Sequence, residues 1–278
     1  MMENSRRRFL KIAGISALGV AGAKPVLDVF ASGDSHGEAA KAQPEVRKGE
    51  KALTAKQWAM VIDTRKFKSG ADLEPIIEVC HKIHNVPDFM NKENPEFKED
   101  NRRHVIKWIW EEEYNHAFPT GSTPFLNERI KHLPFLVLCN HCEDPPCVRA
   151  CPTKATFKRE DGVVAMDFHR CIGCRFCMAA CPYGSRSFNF RDPRPFIKAE
   201  ERNPEFPTRM KGVVEKCNFC SERLAVGQMP ACVEASKGAI AFGDLYDPES
   251  EVRKLLASNF TIRRKDGLGT GPAVYYIV

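Results

Sequence analysis

The grouping and spacing of its cysteines constrain this chain more than any other feature of its sequence. Twelve of its 278 residues are cysteine, about 4%, which exceeds ordinary usage but falls short of the roughly 8–10% of a disulfide scaffold. The most regular run reads Cys171-x2-Cys174-x2-Cys177-x3-Cys181-Pro182. This is the spacing of the bacterial ferredoxin run, in which three thiolates bind one cubane [4Fe-4S] cluster and the fourth ligates a second cluster.

A second run lies upstream and has the same form with a longer middle gap. It reads Cys139-x2-Cys142-x4-Cys147-x3-Cys151-Pro152. Because the fourth cysteine of such a run serves the other cluster, the two runs predict a reciprocal pair of clusters. Cluster A has the ligands Cys171, Cys174, Cys177 and Cys151, and cluster B has Cys139, Cys142, Cys147 and Cys181.

Both runs have weaker copies elsewhere in the chain. The segment around Cys147 recurs around Cys232 with Ser236 at its last position, and the segment that precedes Cys171 recurs before Phe67. These copies predict an ancestral second pair of clusters, one of which has lost its ligands. Twelve cysteines at four per cluster predict three [4Fe-4S] clusters with none left over. The ligands of the third, cluster C, are Cys80, Cys217, Cys220 and Cys232.

Three other uses of cysteine compete with this interpretation. Disulfides are the usual expectation for an even number of cysteines in an exported chain, but close x2 spacing followed by proline is typical of cluster ligands. Zinc sites use isolated Cys-x2-Cys pairs, which leaves the triplet that begins at Cys171 unexplained. A c-type haem needs histidine after Cys-x2-Cys, whereas Glu143, Arg175 and Ser221 follow the three candidate pairs.

Charged and imidazole side chains beside the cysteines are weaker candidates for a functional role. His81 and His84 adjoin Cys80, but an isolated histidine is more often a surface or core residue than a ligand. Arg170, Arg175 and Lys216 lie next to predicted ligands. Their charges either alter the cluster potentials or are simply solvated.

The first 31 residues have the order of an export signal. Residues 5–11 read SRRRFLK and precede an apolar stretch, 12–23, with small residues at Ala23 and Ala31. Charged, apolar and small segments in that order are typical of secretory signals, and the arginine pair is typical of the twin-arginine type. Twin-arginine export carries folded proteins, so it suits a chain that acquires cofactors in the cytoplasm. We expect a signal at 1–31, cleaved after either alanine or retained, and a periplasmic mature chain.

The rest of the chain is expected to have an α+β fold of two tandem ferredoxin-like 2[4Fe-4S] units with insertions and one cluster site lost. Residues 32–56 are polar and small, which predicts a flexible linker. Residues 57–246 form the iron-sulfur domain, with an insertion at 84–138 and the cluster-pair core at 135–190. A C-terminal tail, 247–278, packs on this domain.

Apolar patterns predict individual elements within this domain. Short apolar runs at 59–62 and 105–110 predict strands, and a strand-like run lies at 273–277. Asp161-Gly162 between apolar segments predicts a hairpin. Val252, Leu255 and Leu256 have helical spacing.

Charge and hydropathy argue against two classes of protein. The 42 lysine and arginine residues exceed the 36 acidic residues by six, but no basic block follows Arg8 and no RNP-type aromatic signature is present, which argues against a nucleic-acid partner. The uncharged stretch at 12–23 is shorter than the roughly 18 residues of a spanning helix. We therefore expect no transmembrane helix in the mature chain.

From Trp58 onward the chain resembles the ferredoxin-type iron-sulfur subunits of respiratory membrane oxidoreductases, the nitrite-reductase-associated and polysulfide-reductase family. The resemblance rests on the cysteine runs and on the segments 181–184, 242–245 and 269–276, which read CPYG, FGDL and GTGPAVYY. Members of that family have four clusters. With three clusters and a twin-arginine signal, this chain is most similar to the DsrO-type subunit of the sulfite-reduction-associated membrane complex.

The resemblance implies an electron-transfer subunit rather than an enzyme. It implies an integral membrane quinone-interacting subunit as one partner and a multihaem cytochrome c as another, with cluster A facing the membrane subunit. In this family the cluster missing here is the one nearest a molybdenum subunit, which argues against such a partner. A subunit of a molybdopterin oxidoreductase (for polysulfide, thiosulfate or nitrite) stays the main alternative. Two further alternatives are an enzyme with its own active site and an inert scaffold that bears clusters.

Replacing Arg6 and Arg7 with lysine tests the export signal. Because the arginine pair is the recognised feature and folding does not depend on it, a soluble and metallated precursor should accumulate in the cytoplasm. Arg8→Lys, which keeps the pair, is the matched control and should be exported normally. Immunoblots of periplasmic and cytoplasmic fractions measure the distribution, and periplasmic appearance of the double variant would show that the signal prediction is wrong.

Overall fold

The described part of the chain, residues 49–119, 121 and 125–278, consists of short strands and helices in a computed structural model. The signal predicted at 1–31 and residues 32–48 of the predicted linker lie outside it. The strands are β1 Trp58–Asp63, β2 Ile109–Glu112, β3 Phe135–Leu138, β4 Thr156–Lys158, β5 Val164–Met166, β6 Ser187–Phe188, β7 Val214–Glu215, β8 Ile240–Asp244, β9 Thr261–Ile262 and β10 Val274–Ile277. The helices are α1 Glu74–Ile83, α2 Tyr114–Ala117, α3 Glu128–Lys131, α4 Pro146–Arg149, α5 Phe176–Ala180, α6 Ser221–Leu224, α7 Ala231–Ala235 and α8 Glu251–Ser258. Short 3-10 helices occur at Thr64–Lys66, Gly70–Asp72, Glu99–His104, Arg194–Phe196, Ala199–Glu201 and Asp266–Leu268.

A four-stranded mixed sheet with the order β8-β1-β10-β9 holds the two ends of the described chain together. β1 pairs antiparallel with β8 and parallel with β10. Met60 and Ile62 are completely buried in the main core, while Ala59 and Val61 face a smaller cluster closed by Val252 of α8. Because both faces of β1 are covered, its sequence is a continuous apolar run. The strands predicted at 59–62 and 273–277 and the helix predicted around Val252 are confirmed.

Three two-stranded antiparallel pairs, β2-β3, β4-β5 and β6-β7, complete the strand arrangement of the described residues. The hairpin predicted at Asp161-Gly162 is confirmed: it joins β4 to β5, and Arg159 N–H donates to the Val163 carbonyl at 2.9 Å. Gly162 has a φ of +82°, a conformation that disfavours side chains with a Cβ. The turn therefore depends on glycine.

The strand predicted at 105–110 is wrong over its first four residues, because β2 begins only at Ile109. Ile106 and Trp108 are buried in the core, 2% and 1% exposed, but the Lys107 N–H donates to the Ser187 hydroxyl at 2.8 Å. The apolar run marks burial and not strand pairing. The segment predicted as an insertion, 84–138, contributes side chains to the main core, among them Trp108, Ile109 and Phe135.

The same local layout occurs around two pairs of antiparallel strands. At one, α4 packs against α5 next to β4 and β5; at the other, α7 packs against α1 next to β8 and β1. Asp167 N–H donates to the Ala155 carbonyl at 2.7 Å, and Asp63 N–H donates to the Ala239 carbonyl at 2.9 Å. In the sequence repeat, Asp167 of the segment before Cys171 corresponds to Asp63 of the segment before Phe67. The repeated sequence thus has a repeated backbone arrangement.

Gly162→Ala tests the hairpin turn. A Cβ at this position would clash with the Gln57 side-chain amide, and left-handed backbone costs a non-glycine residue roughly 1–3 kcal/mol. We expect the free energy of unfolding to fall by about that amount, measured under anaerobic conditions as a lower guanidinium midpoint. The control is Gly267→Ala, whose Cβ would meet open space; equal midpoints for the two variants would contradict the role of Gly162.

Candidate iron-sulfur cluster sites

The four cysteines predicted for cluster B line one small cavity. Cys139 directly follows β3, and Cys147 lies on α4, where Pro146 occupies a first-turn position that needs no N–H partner. The Asn140 side chain lines the same cavity, is 1% exposed, and has no hydrogen-bond partner for either polar atom. Buried amides are almost always hydrogen-bonded. The sulfur atoms of a cluster would accept from its N–H groups, so the residues present fit a [4Fe-4S] cluster.

A second small cavity is lined by the four cysteines predicted for cluster A. The loop between Cys171 and Cys174 contains Gly173, whose φ is +70° and whose added Cβ would clash with the Gly212 carbonyl oxygen. Only glycine allows this loop to lie so close to the neighbouring backbone. α5 then begins at Phe176 and carries Cys177 on its buried face.

The third quartet comes from distant parts of the sequence and lies deepest in the fold. Cys80 on α1 and Cys232 on α7 are brought together where these helices pack, and Cys217 and Cys220 follow β7. All four are nearly inaccessible to solvent, at 3%, 5%, 6% and 4% exposed respectively. Burial raises the pKa of the Cys80 thiol far above its ordinary value, and the charges of the other three cysteines raise it further. The structure thus gathers the quartet that the sequence repeat predicts.

Thiol ionisation is unfavourable at most of the buried positions in the protein without iron. Burial raises the pKa of Cys142 to about 12 and that of Cys232 to about 12. Cys151 differs: burial opposes ionisation, but hydrogen bonds from the backbone N–H groups of Thr156 and Thr153 and from the Thr153 hydroxyl leave its pKa below the ordinary value. A thiolate is the form that ligates metal, so the positive charge of iron is needed where burial is complete.

Solvent exposure of the cysteines decreases from quartet A to quartet C. In quartet A only Cys177 is buried, in quartet B only Cys181 is partly exposed, and quartet C is buried throughout. Ile172 and Phe176, next to quartet A, are 66% and 60% exposed. Quartet A is therefore the most solvent-accessible of the three cysteine groups.

The two histidines near Cys80 differ in their contacts, and of the two it is His84 that reaches the cysteine sulfur, with Nδ1 3.6 Å from Cys80 Sγ. His81 Nε2 lies 3.2 Å from the Ile109 carbonyl oxygen, and burial lowers the His81 pKa to about 4. His84 Nδ1 lies 2.8 Å from the Cys80 carbonyl oxygen, and its Nε2 lies 2.8 Å from the Glu222 carboxylate. Ligand atoms of His84, Cys220 and Glu222 lie within 4.8 Å of one another. Cys220 already belongs to quartet C, so this group is part of that site.

The charged residues singled out from the sequence have three different environments. The Arg170 side chain is 58% exposed and pairs with Asp167 at 3.3 Å. The Arg175 guanidinium lies over the Phe188 ring at 5.4 Å. Lys216 is buried, and its Nζ donates to the Cys217 carbonyl oxygen at 2.8 Å.

Sequence reasoning missed Arg186, which is 5% exposed and donates from Nη2 to Cys147 Sγ at 3.0 Å. It lies between two serines after Cys181, where a charged residue is usually solvated. Nothing in its local sequence distinguishes it from an exposed loop residue.

The two positions predicted to have lost a ligand are occupied by side chains with structural contacts. Phe67 is 4% exposed and packs in the main core. The Ser236 hydroxyl donates to the Val233 carbonyl at 2.7 Å and accepts from the Ile240 N–H at 3.0 Å. One side chain fills apolar space and the other ends α7.

Comparison with known proteins identifies the class of these sites. The family model of the 4Fe-4S dicluster domain matches residues 130–193, which include all eight cysteines of quartets A and B. The chain therefore carries a [4Fe-4S] dicluster domain in a mixed α/β fold. The structure describes no helix, within the residues it covers, that has the length and apolarity to cross a membrane.

Three relatives match the chain over most of its length. The Hdr-like menaquinol oxidoreductase iron-sulfur subunit 1 of Archaeoglobus fulgidus is 39% identical, over 98% of this chain and 97% of the relative. A selenate reductase subunit of Mesobacillus selenatarsenatis is 34% identical, over 99% and 97%. The menaquinone reductase iron-sulfur cluster-binding subunit of Nitratidesulfovibrio vulgaris is 35% identical, over 80% and 88%.

This chain belongs to the family of iron-sulfur electron-transfer subunits of oxidoreductase complexes. The resemblance predicted from the sequence is confirmed at the level of this family. The prediction of an electron-transfer subunit rather than an enzyme is also confirmed, because the relatives are iron-sulfur subunits and not catalytic ones.

Iron analysis of the purified chain tests the number of clusters. Three cubanes with four cysteine ligands each predict about twelve iron atoms per chain. The measurement is colorimetric iron against protein concentration from amino-acid analysis, on protein purified without oxygen. About eight iron atoms would exclude quartet C, and about sixteen would mean that Phe67 and Ser236 are replaced by ligands of another kind.

Proposed function

We propose that this chain is an extracytoplasmic subunit that relays electrons through three [4Fe-4S] clusters between an integral membrane quinone-interacting subunit and a redox partner such as a multihaem cytochrome c. The complex would be one of sulfur metabolism, with this chain as a DsrO-type subunit. The observation that supports the proposal most directly is the gathering of all twelve cysteines into three separate quartets. No cysteine is then left over for a catalytic role.

Contacts between the quartets support a row with cluster B in the middle. Arg186 hydrogen-bonds to Cys147 of quartet B, and burial raises the pKa of Cys177 in quartet A while the Arg186 charge opposes this rise. On the other side, the His141 ring of the quartet B loop stacks at 3.6 Å on Phe219 of the quartet C loop. Quartet B thus has contacts toward both of the others, which is the geometry of an A-B-C relay.

The repeated layout supports an origin by duplication with one cluster lost. The two strand pairs with matching aspartate hydrogen bonds correspond to two ferredoxin-like units in tandem. At the position of the fourth cluster, Phe67 adds apolar contacts and Ser236 completes a helix end. We propose that these contacts replace the stabilisation that a cluster supplied in the ancestral protein.

Relatives with menaquinol or menaquinone in their names favour a quinone-linked complex. The Archaeoglobus fulgidus relative matches nearly the whole chain under such a name. The export-signal pattern at 1–31 favours an extracytoplasmic location, and the uncharged stretch there is too short to span a membrane. The chain would then be held at the membrane by its partners.

One observation favours a second candidate function. The relative from Mesobacillus selenatarsenatis matches almost the whole chain under the name of a selenate reductase subunit, which favours an electron-transfer subunit of a molybdopterin oxidoreductase. The two candidates differ in composition of the complex. Subunits that co-purify from membranes, identified by mass spectrometry, would include a multihaem cytochrome in the first case and a molybdopterin subunit in the second.

Replacing Cys80 with serine tests the order of the relay. The variant should lose cluster C alone, since clusters A and B keep all eight ligands. In membranes that contain the complex, quinol should still reduce two clusters, while haem reduction fails. Electron paramagnetic resonance measures the clusters and absorbance measures the haem.

Cys151→Ser is the matched control for the opposite end of the relay. It should disturb cluster A and prevent quinol from reducing any cluster, although dithionite still reduces cluster C. If haem reduction persists at the wild-type rate in the Cys80→Ser membranes while cluster C is absent, electrons leave by another route and the proposed order is wrong.

A further inference from the structure

Arg186 is a buried cation whose side-chain partners are sulfur and hydroxyl groups. Besides Cys147 Sγ at 3.0 Å, its guanidinium donates to the Thr156 hydroxyl at 3.1 Å and lies 3.7 Å from Met166 Sδ. None of the ion pairs within the described ranges involves this residue. A buried charge is costly unless an opposite charge lies nearby. The thiolates of Cys147 and Cys139 in quartet B supply the opposite charge, and that of Cys177 in quartet A adds to it.

Other cations close to the clusters are arranged differently. Buried Arg209 pairs with Glu215 at 2.6 Å, so its charge is already balanced. The Lys216 ammonium donates to carbonyl oxygens of Val164 and Cys217, not to sulfur. Of the lysines and arginines that the structure describes, Arg186 is the one with a hydrogen bond to a cysteine sulfur.

We propose that Arg186 is a potential-tuning residue that raises the reduction potential of cluster B. The inference rests on the proposed ligation of cluster B by Cys139, Cys142, Cys147 and Cys181. Reduction adds one negative charge to a cluster, and a cation beside a sulfur ligand favours the more negative state. Hydrogen bonds to the sulfurs and burial are the main controls of such potentials. Arg186 combines a full charge, a direct hydrogen bond and 5% exposure.

Potentiometric titration of full-length Arg186→Gln, followed by electron paramagnetic resonance, tests this inference. At a fixed ambient potential, the ratio of reduced to oxidised cluster B should fall at least tenfold, which is 59 mV for a one-electron couple. Cluster B is identified as the signal that Cys142→Ser alters. Arg186→Lys keeps the charge and should lower the ratio by less than Arg186→Gln does.

Arg170→Gln is the matched control, because it removes the same charge from a solvated side chain paired with Asp167. Its cluster potentials should stay at their wild-type values, since solvent screens exposed charges. If the Arg186→Gln protein contains about twelve iron atoms and its cluster B potential is unchanged, the inference is overturned. The proposal of three clusters would then still stand. About eight iron atoms in the wild type would count against the proposed function instead.

If the Arg186→Gln protein fails to assemble cluster B, a second measurement tests whether the Arg186 guanidinium contacts this cluster. Wild-type protein is labelled with ¹⁵N in the guanidinium groups of its arginines, and the reduced clusters are studied by hyperfine spectroscopy. A ¹⁵N coupling should appear on the cluster B signal and disappear in Arg186→Lys. Absence of any arginine ¹⁵N coupling on that signal would overturn the inference.

Discussion

The arrangement of this protein depends on the electrostatics of buried thiolates. Quartet C places four cysteines at 3–6% exposure beside one another, and burial together with the neighbouring sulfur charges raises the pKa of Cys80 far above its ordinary value. Thiolates in such a place are stable only next to positive charge. Iron would supply that charge at quartet C, where the surrounding helices and loops bring the four sulfurs together. Fold stability and cofactor binding are therefore coupled here, as is general for metal sites whose ligands must lose protons.

The groups that act on negative charge differ among the three cysteine quartets. Around quartet A, partial solvent exposure and the N–H groups next to Cys151 stabilise negative charge. Around quartet B, Arg186 supplies a cation and Asn140 an unpaired amide. Around quartet C, Glu222 lies near Cys220 and carries its own negative charge. The three quartets thus have distinct electrostatic surroundings within one small fold.

Sequence spacing predicts the features that follow from local geometry. Quartets A and B can be read from their runs, and the hairpin at Gly162 follows from an Asp-Gly pair between apolar segments. Quartet C needs the internal repeat, because Cys80 and Cys232 meet only through the packing of α1 on α7. The start of β2 could not be predicted, since Ile106 and Trp108 are apolar for burial and not for pairing. Arg186 could not be predicted either, because its burial depends on the cavity walls of quartet B, which come from several segments.

The position of β10 has a consequence for the order in which the protein forms during synthesis. β10 lies beside β1 in the central sheet, so the sheet stays incomplete until residues 274–277 have left the ribosome. The cysteines of quartets A and B, by contrast, all lie between residues 139 and 181. Contacts between residues close in sequence form before contacts that close long loops. Quartet A can therefore form while the chain is still growing. The quartet B loop also needs residues 270–271, whose carbonyls accept from the N–H groups of Glu143 and Asp144, so this loop and the closed central sheet are both completed late in synthesis.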